Sequence, residues 1–113
     1  MGKITLYHNP RCGKSREALR ILEDKKSDFE IIEYLKENPD EKVLKSLLKK
    51  LGLKAEALIR KGEYKKLELK QAEDEEGLIK QMAQHPILIE RPIVVHGTQA
   101  RIGRPPESIL DIL

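Results

Sequence analysis

Residues 3–24 read KITLYHNPRCGKSREALRILED, and two periodicities meet inside them. KITLYH alternates along its length and is rich in β-forming side chains, which predicts a strand over residues 3–8. From Gly13 the spacing changes: Ser15, Ala18, Leu19 and Leu22 recur at helical intervals and make one apolar stripe. FEIIEYL, residues 29–35, reads as a second strand. A strand, a helix and a strand within about thirty residues form a βαβ unit, and such a crossover requires a parallel strand pair.

The rest of the chain fits around that unit. ENPDEKVLKSLLKKLG predicts a helix capped at Asn38 or Asp40, with Val43, Leu44, Leu47, Leu48 and Leu51 on one face and Gly52 as its left-handed stop. KAEALIRKG predicts a shorter helix that ends near Arg60. EEGLIKQMAQHP predicts a third, with Leu78, Ile79, Met82 and Ala83 inward and Pro86 as its end. RPIVVHGTQARIG reads as a hairpin that turns at His96-Gly97-Thr98, and PPESILDIL as a closing helix with proline in its first turn. The order is β-α-β, a helical insertion over about residues 39–84, then β-β-α. The expected fold class is α/β, a mixed four-stranded sheet in one domain over residues 1–113.

Composition narrows the function. The chain has 113 residues, 36% of them charged, and a formal net charge of only +3. Acids and bases are interleaved, so no basic tract favours a nucleic acid. No stretch is long and apolar enough to suggest a membrane span or an export signal. There is one cysteine, which excludes an internal disulfide and a cysteine-rich metal site within these residues. A free thiol without an export signal sets the expectation of a reducing cytoplasm, and the size and charge that of a monomer.

That cysteine, Cys12, falls where the strand gives way to the helix. Unpaired backbone N–H groups and the helix dipole favour negative charge there. Such surroundings lower a thiol from about 8.5 to roughly 3.5–7.5. His8, Arg11, Lys14 and Arg16 are candidate cations, and Asn9 and Ser15 are candidate hydrogen-bond donors to the sulfur. A lone cysteine is often a small inert core residue. Inert cysteines favour apolar runs, whereas this one lies in a polar loop between Pro10 and Gly13. His8 also reads as a strand-end histidine with its side chain satisfied, and Lys14 as a solvated helix-surface residue.

YHNPRCGKSREAL, LIRKGEY, QHPILIERPIVV and RIGRPPE, in that order, resemble the ArsC-like arsenate reductases, the glutaredoxin-dependent branch with a thioredoxin-type fold. The resemblance runs from Ile4 to Leu113. It implies Cys12 as the nucleophile toward arsenate, and Arg60, Arg91 and Arg104 as the arginines that bind the oxyanion. It implies His8, Asn9 and Ser15 as residues that tune the thiolate, and a cis peptide bond at Arg91-Pro92. It further implies glutathione as a co-substrate and glutaredoxin as the partner that resolves the mixed disulfide, with no bound cofactor and no metal. Arginine forks suit the oxygens of a tetrahedral phosphate mimic. Each arginine alone would otherwise read as a surface ion pair. Arg101, inside the expected last strand, is the nearest decoy for Arg104. Two rivals share the fold expectation. A Spx-like regulator would bind RNA polymerase, but many of those carry C-x-x-C where this chain has Cys12-Gly13-Lys14-Ser15. A glutathione-linked thiol reductase would act on another substrate with the same thiolate.

Overall fold

The computed structural model describes residues 3–113. Its packing divides into two units, a sheet unit (residues up to Glu37 with Arg91–Leu113) and a helical unit (Asn38–Glu90).

The sheet unit is built from β1 (Ile4–Tyr7), α1 (Gly13–Asp24), β2 (Phe29–Ile32), β3 (Ile93–His96), β4 (Gln99–Ile102) and a closing 3-10 helix (Pro106–Ile112). The strand order is β2-β1-β3-β4. β1 runs parallel to β2 and antiparallel to β3, and β3 and β4 form the hairpin. This is the mixed four-stranded α/β sheet expected from the sequence. Alternation in β1 sends Ile4 and Leu6 to one face, where they join Ala18 and Leu22 of α1, Val94, Ile109 and Ile112 in a buried cluster. Burial of each large aliphatic side chain in such a cluster stabilises by about 1.5–3 kcal/mol. β3 is central, and its residues Ile93, Val94 and Val95 are all buried, a run rather than an alternation.

Several boundaries differ from expectation: the short helix expected to end near Arg60 stops at Leu58, because Ile59 is already extended, and His96, expected in the hairpin turn, pairs with Gln99 as the last residue of β3. β2 stops at Ile32, because the chain turns at Glu33: its carbonyl accepts from the N–H groups of Lys36 and Glu37 at 2.9 and 3.0 Å. The first strand is Ile4–Tyr7, shorter by one residue at each end. The closing segment is a 3-10 helix, not an α-helix. Its buried residues Pro106, Ile109 and Ile112 lie three apart, the spacing that three residues per turn brings to one side.

The helical unit contains α2 (Glu41–Leu51), α3 (Ala55–Leu58), α4 (Gly62–Leu67), α5 (Glu75–Gln84) and a 3-10 turn (Pro86–Leu88). α2 ends as its glycine predicts. Gly52 takes φ +70°, and the N–H groups of Gly52 and Leu53 both return to the Leu48 carbonyl. α4 was not expected from the sequence; it presents a single buried residue, Tyr64, so no periodic stripe announces it. Gln81 fastens the loop that follows α4. Its side chain accepts from Tyr64 Oη at 2.7 Å and from the Ala72 N–H at 3.0 Å, and donates to the Lys70 carbonyl at 2.8 Å. Among the described residues no helix is long and apolar enough to cross a membrane.

Candidate active site

The strand-to-helix junction places Cys12 at the N-cap of α1, with φ −94° and ψ 124° and no side-chain capping bond. The Cys12 N–H donates to the Asn9 carbonyl at 3.0 Å, so the loop folds back on itself immediately before the helix. The thiol pKa is lowered. Partial burial pushes it up, but the backbone N–H of Ser15, the guanidinium of Arg91 by hydrogen bonding and by charge, and the backbone N–H of Lys14 together outweigh that. The helix start therefore acts on the sulfur largely through its main chain.

Two arginines of the sheet unit come to the same place. Arg104 Nη2 is 4.0 Å from Cys12 Sγ, and Arg104 Nε donates to the Arg91 carbonyl at 2.8 Å. Arg91 opens the approach to β3 and Arg104 follows β4, so the hairpin delivers both. The peptide bonds Arg91-Pro92 and Arg104-Pro105 are both cis; the first was expected and the second was not. The Gly103 N–H donates to the Pro92 carbonyl at 2.8 Å, and a Cβ on Gly103 would stand 2.7 Å from the Pro92 ring. Only glycine lets the two proline-bearing segments approach this closely. Nε and Nη1 of Arg91 are buried and, among the described residues, have no hydrogen-bond partner. Buried donors without partners are uncommon in folded proteins, and a tetrahedral oxyanion would supply acceptors for these two.

His8, Asn9 and Ser15 form one buried cluster, with exposures of 6%, 5% and 0%. Ser15 Oγ lies 2.6 Å from His8 Nδ1 and accepts from the Asn9 N–H at 3.0 Å. The hydroxyl can accept from both Asn9 and the ring or donate to the ring, so the tautomer of His8 sets the direction of the second bond. The histidine pKa is lowered: burial dominates, the Glu33 carboxylate opposes it, and the Arg16 charge adds to it. Asn9 Oδ1 accepts from the Arg11 N–H at 3.0 Å. The side chains of Asn9 and Ser15 thus bond within the loop, and the donors that lower the Cys12 pKa include the backbone of Ser15 rather than its hydroxyl. Arg16, a candidate cation for the sulfur, sends Nη1 to the Pro10 carbonyl at 2.9 Å and so braces the loop.

Arg60 belongs to the helical unit. Its N–H donates to the Leu88 carbonyl at 2.7 Å beside an antiparallel bridge between Ile59 and Ile89. Its guanidinium lies 3.5 Å from Glu90 Oε1 and 3.9 Å from Glu63 Oε2. The ion-pair reading describes these contacts; an anion-binding role for Arg60 rests on the resemblance. Arg101 sends Nη1 to the carbonyl of Ala100 within its own strand. Sequence reasoning missed Glu33, because residues 29–35 read as one strand and the turn at Glu33 was hidden.

Residues 7–112 match the ArsC family model. The chain is 46% identical over 115 residues to the uncharacterized protein YfgD of Escherichia coli strain K12, across 98% of this chain and 97% of that one. It is 42% identical over 117 residues to the arsenate reductase of Neisseria meningitidis serogroup A, across the whole of both chains. The solved structure of arsenate reductase from Vibrio cholerae superimposes with a TM-score of 0.91 at 45% identity, covering 99% of this chain and 98% of that one. The fold is accordingly thioredoxin-like. On family match and full-length identity alike, the chain belongs to the ArsC family.

Proposed function

We propose that this protein is an arsenate reductase that uses Cys12 as its nucleophile and borrows its reducing thiols. The observation that carries the reading is the setting of Cys12. A thiol with a lowered pKa stands at a helix start with Arg104 Nη2 4.0 Å away, beside an Arg91 guanidinium whose buried Nε and Nη1, among the described residues, lack acceptors. Relatives of similar length at 42–45% identity that bear the name arsenate reductase support the substrate.

The Cys12 thiolate attacks arsenic, an S–As bond replaces an As–O bond, and the displaced oxygen leaves as hydroxide or water. Arsenic remains at +5. The arginines stabilise charge on the remaining oxygens. A glutathione thiolate then attacks the Cys12 sulfur. An S–S bond forms, the S–As electron pair stays on arsenic, and arsenite leaves at +3. A glutaredoxin thiolate takes up glutathione from the mixed disulfide and returns Cys12 as a thiolate. The single cysteine fits this route, because the chain has no second thiol to resolve the adduct. Thiols of this kind are kept reduced in the cytoplasm.

The test is arsenite formation from arsenate with glutathione and glutaredoxin, by wild type and Cys12→Ser. Turnover by wild type alone supports the reading. Turnover that survives the substitution, or none by wild type, overturns it.

A further inference from the structure

Beside the loop that leads into Cys12 lies a cleft of about 310 Å³, bordered by His8, Pro10 and Arg11 on one side and by Glu33, Leu35 and Lys36 on the other. Two of its residues, Glu33 and Leu35, fall in the segment that composition predicts as strand, so no sequence pattern announces the cleft. We propose that this cleft is the seat of the reducing thiol, and that it takes a small zwitterionic peptide of the glutathione class. The inference rests on the functional reading above and names a partner site for it.

Four features of the cleft select that occupant. Its volume is at the low end of the range of roughly 300–1,000 Å³ typical of small-molecule sites, which suits a tripeptide better than a protein segment. Its charges are mixed: Arg11 and Lys36 are cations, and Glu33 is an anion 3.5 Å from the Lys36 ammonium. Arsenate would meet a carboxylate here, whereas a peptide with two carboxylates and one ammonium finds a partner for each. Leu35 is 39% exposed although large and apolar, and with Pro10 it offers a surface for a peptide's methylene groups. Last, Arg11 is the residue before Cys12. An extended tripeptide spans about 10 Å, and one seated between Lys36 and Arg11 lies along the loop that leads to the sulfur. The influence of the Glu33 carboxylate on His8 agrees that the far wall of the cleft faces the active loop.

The probe is S-methylglutathione, which keeps the charges and cannot exchange disulfides. Titrated into the full chain and followed by amide NMR, it is expected to shift the signals of Arg11, Glu33, Leu35 and Lys36. Lys36→Glu is expected to weaken binding about tenfold. The Lys36 side chain is 78% exposed, so the variant keeps the fold. In turnover, Lys36→Glu and Arg11→Ala are expected to raise the KM for glutathione about tenfold and that for arsenate less than twofold. Shifts confined to other residues, or binding and KM unaltered in both variants, overturn the proposal. If the wild type turns over no arsenate, the functional reading fails by itself and the NMR titration still decides the cleft.

Discussion

Among the described residues three helices are eight residues or longer, and they begin in two different ways. α2 and α5 cap themselves: Asp40 accepts from the Val43 N–H and Asp74 from the Gly77 N–H, each at 2.8 Å. Their first turns carry Glu41, and Glu75 with Glu76. α1 begins on Cys12, makes no side-chain capping bond, has no acid in its first turn and carries Lys14 there instead. A missing cap costs about 0.5–2 kcal/mol. α2 and α5 offset their terminal dipoles with fixed carboxylates. α1 leaves its terminus to a thiol whose lowered pKa favours the anion, and in the proposed mechanism that charge reacts and returns.

That contrast can be broken at the sulfur first. Cys12→Ser keeps the loop and removes the nucleophile, and arsenate turnover is expected to fall on the order of 10⁴-fold or more. The arginines come next. Arg91→Ala and Arg104→Ala are each expected to lower kcat/KM for arsenate by about 10²–10³-fold, as does loss of a donor to developing charge elsewhere. Arg91→Ala also has a signature in pH. The thiolate is the reactive form, so kcat/KM rises as pH climbs through the Cys12 pKa, which lies below the usual thiol value. Without Arg91 that rise moves to higher pH. An unmoved limb would mean that Arg91 does not hold the thiolate.

Smaller effects sharpen the same contrast through stability. Ser15→Ala removes the hydroxyl that serves both His8 and the Asn9 N–H, and is expected to cost about 1–3 kcal/mol in urea unfolding. An unchanged midpoint would dismiss the network. Asp40→Ala and Asp74→Ala are each expected to cost about 1 kcal/mol with arsenate kinetics unaltered. Cys12→Asp is expected to do the reverse, to gain about 0.5–1 kcal/mol as a true cap while activity disappears. A loss of stability there would show that the start of α1 is not short of a carboxylate.

The sequence carried the sheet and the long helices because their signals are local. Gly13–Asp24 is bounded by a loop with proline and glycine on one side and by loss of the stripe on the other, and the observed helix has those bounds. Residues 33–35 continue the β-like composition of β2, yet the turn at Glu33 depends on main-chain bonds that composition does not encode. Tyr64 alone cannot signal α4. At the site, Cys12 could be picked out from its polar loop. The hydroxyl of Ser15, by contrast, turns to His8 rather than to the sulfur, seven residues back, and no spacing rule anticipates that. The meeting of Arg91 and Arg104 with Cys12 was readable only through resemblance, since Arg104 lies 92 residues from the sulfur it faces.

Tyr7, Ile93 and Ile102 stand opposite one another across β1, β3 and β4. The chain leaves that row toward Cys12 at its first member, enters it from Arg91-Pro92 at its second, and leaves toward Gly103-Arg104 at its third. The row is therefore a gauge block for the chemistry. A slip of one residue would carry Arg91 about 3.3 Å along the strand and turn it to the opposite face. What resists the slip is the greasy side of the sheet, where Ile4, Leu6 and Val94 are packed. The spacing between nucleophile and arginines is in that sense a property of residues that never meet a substrate.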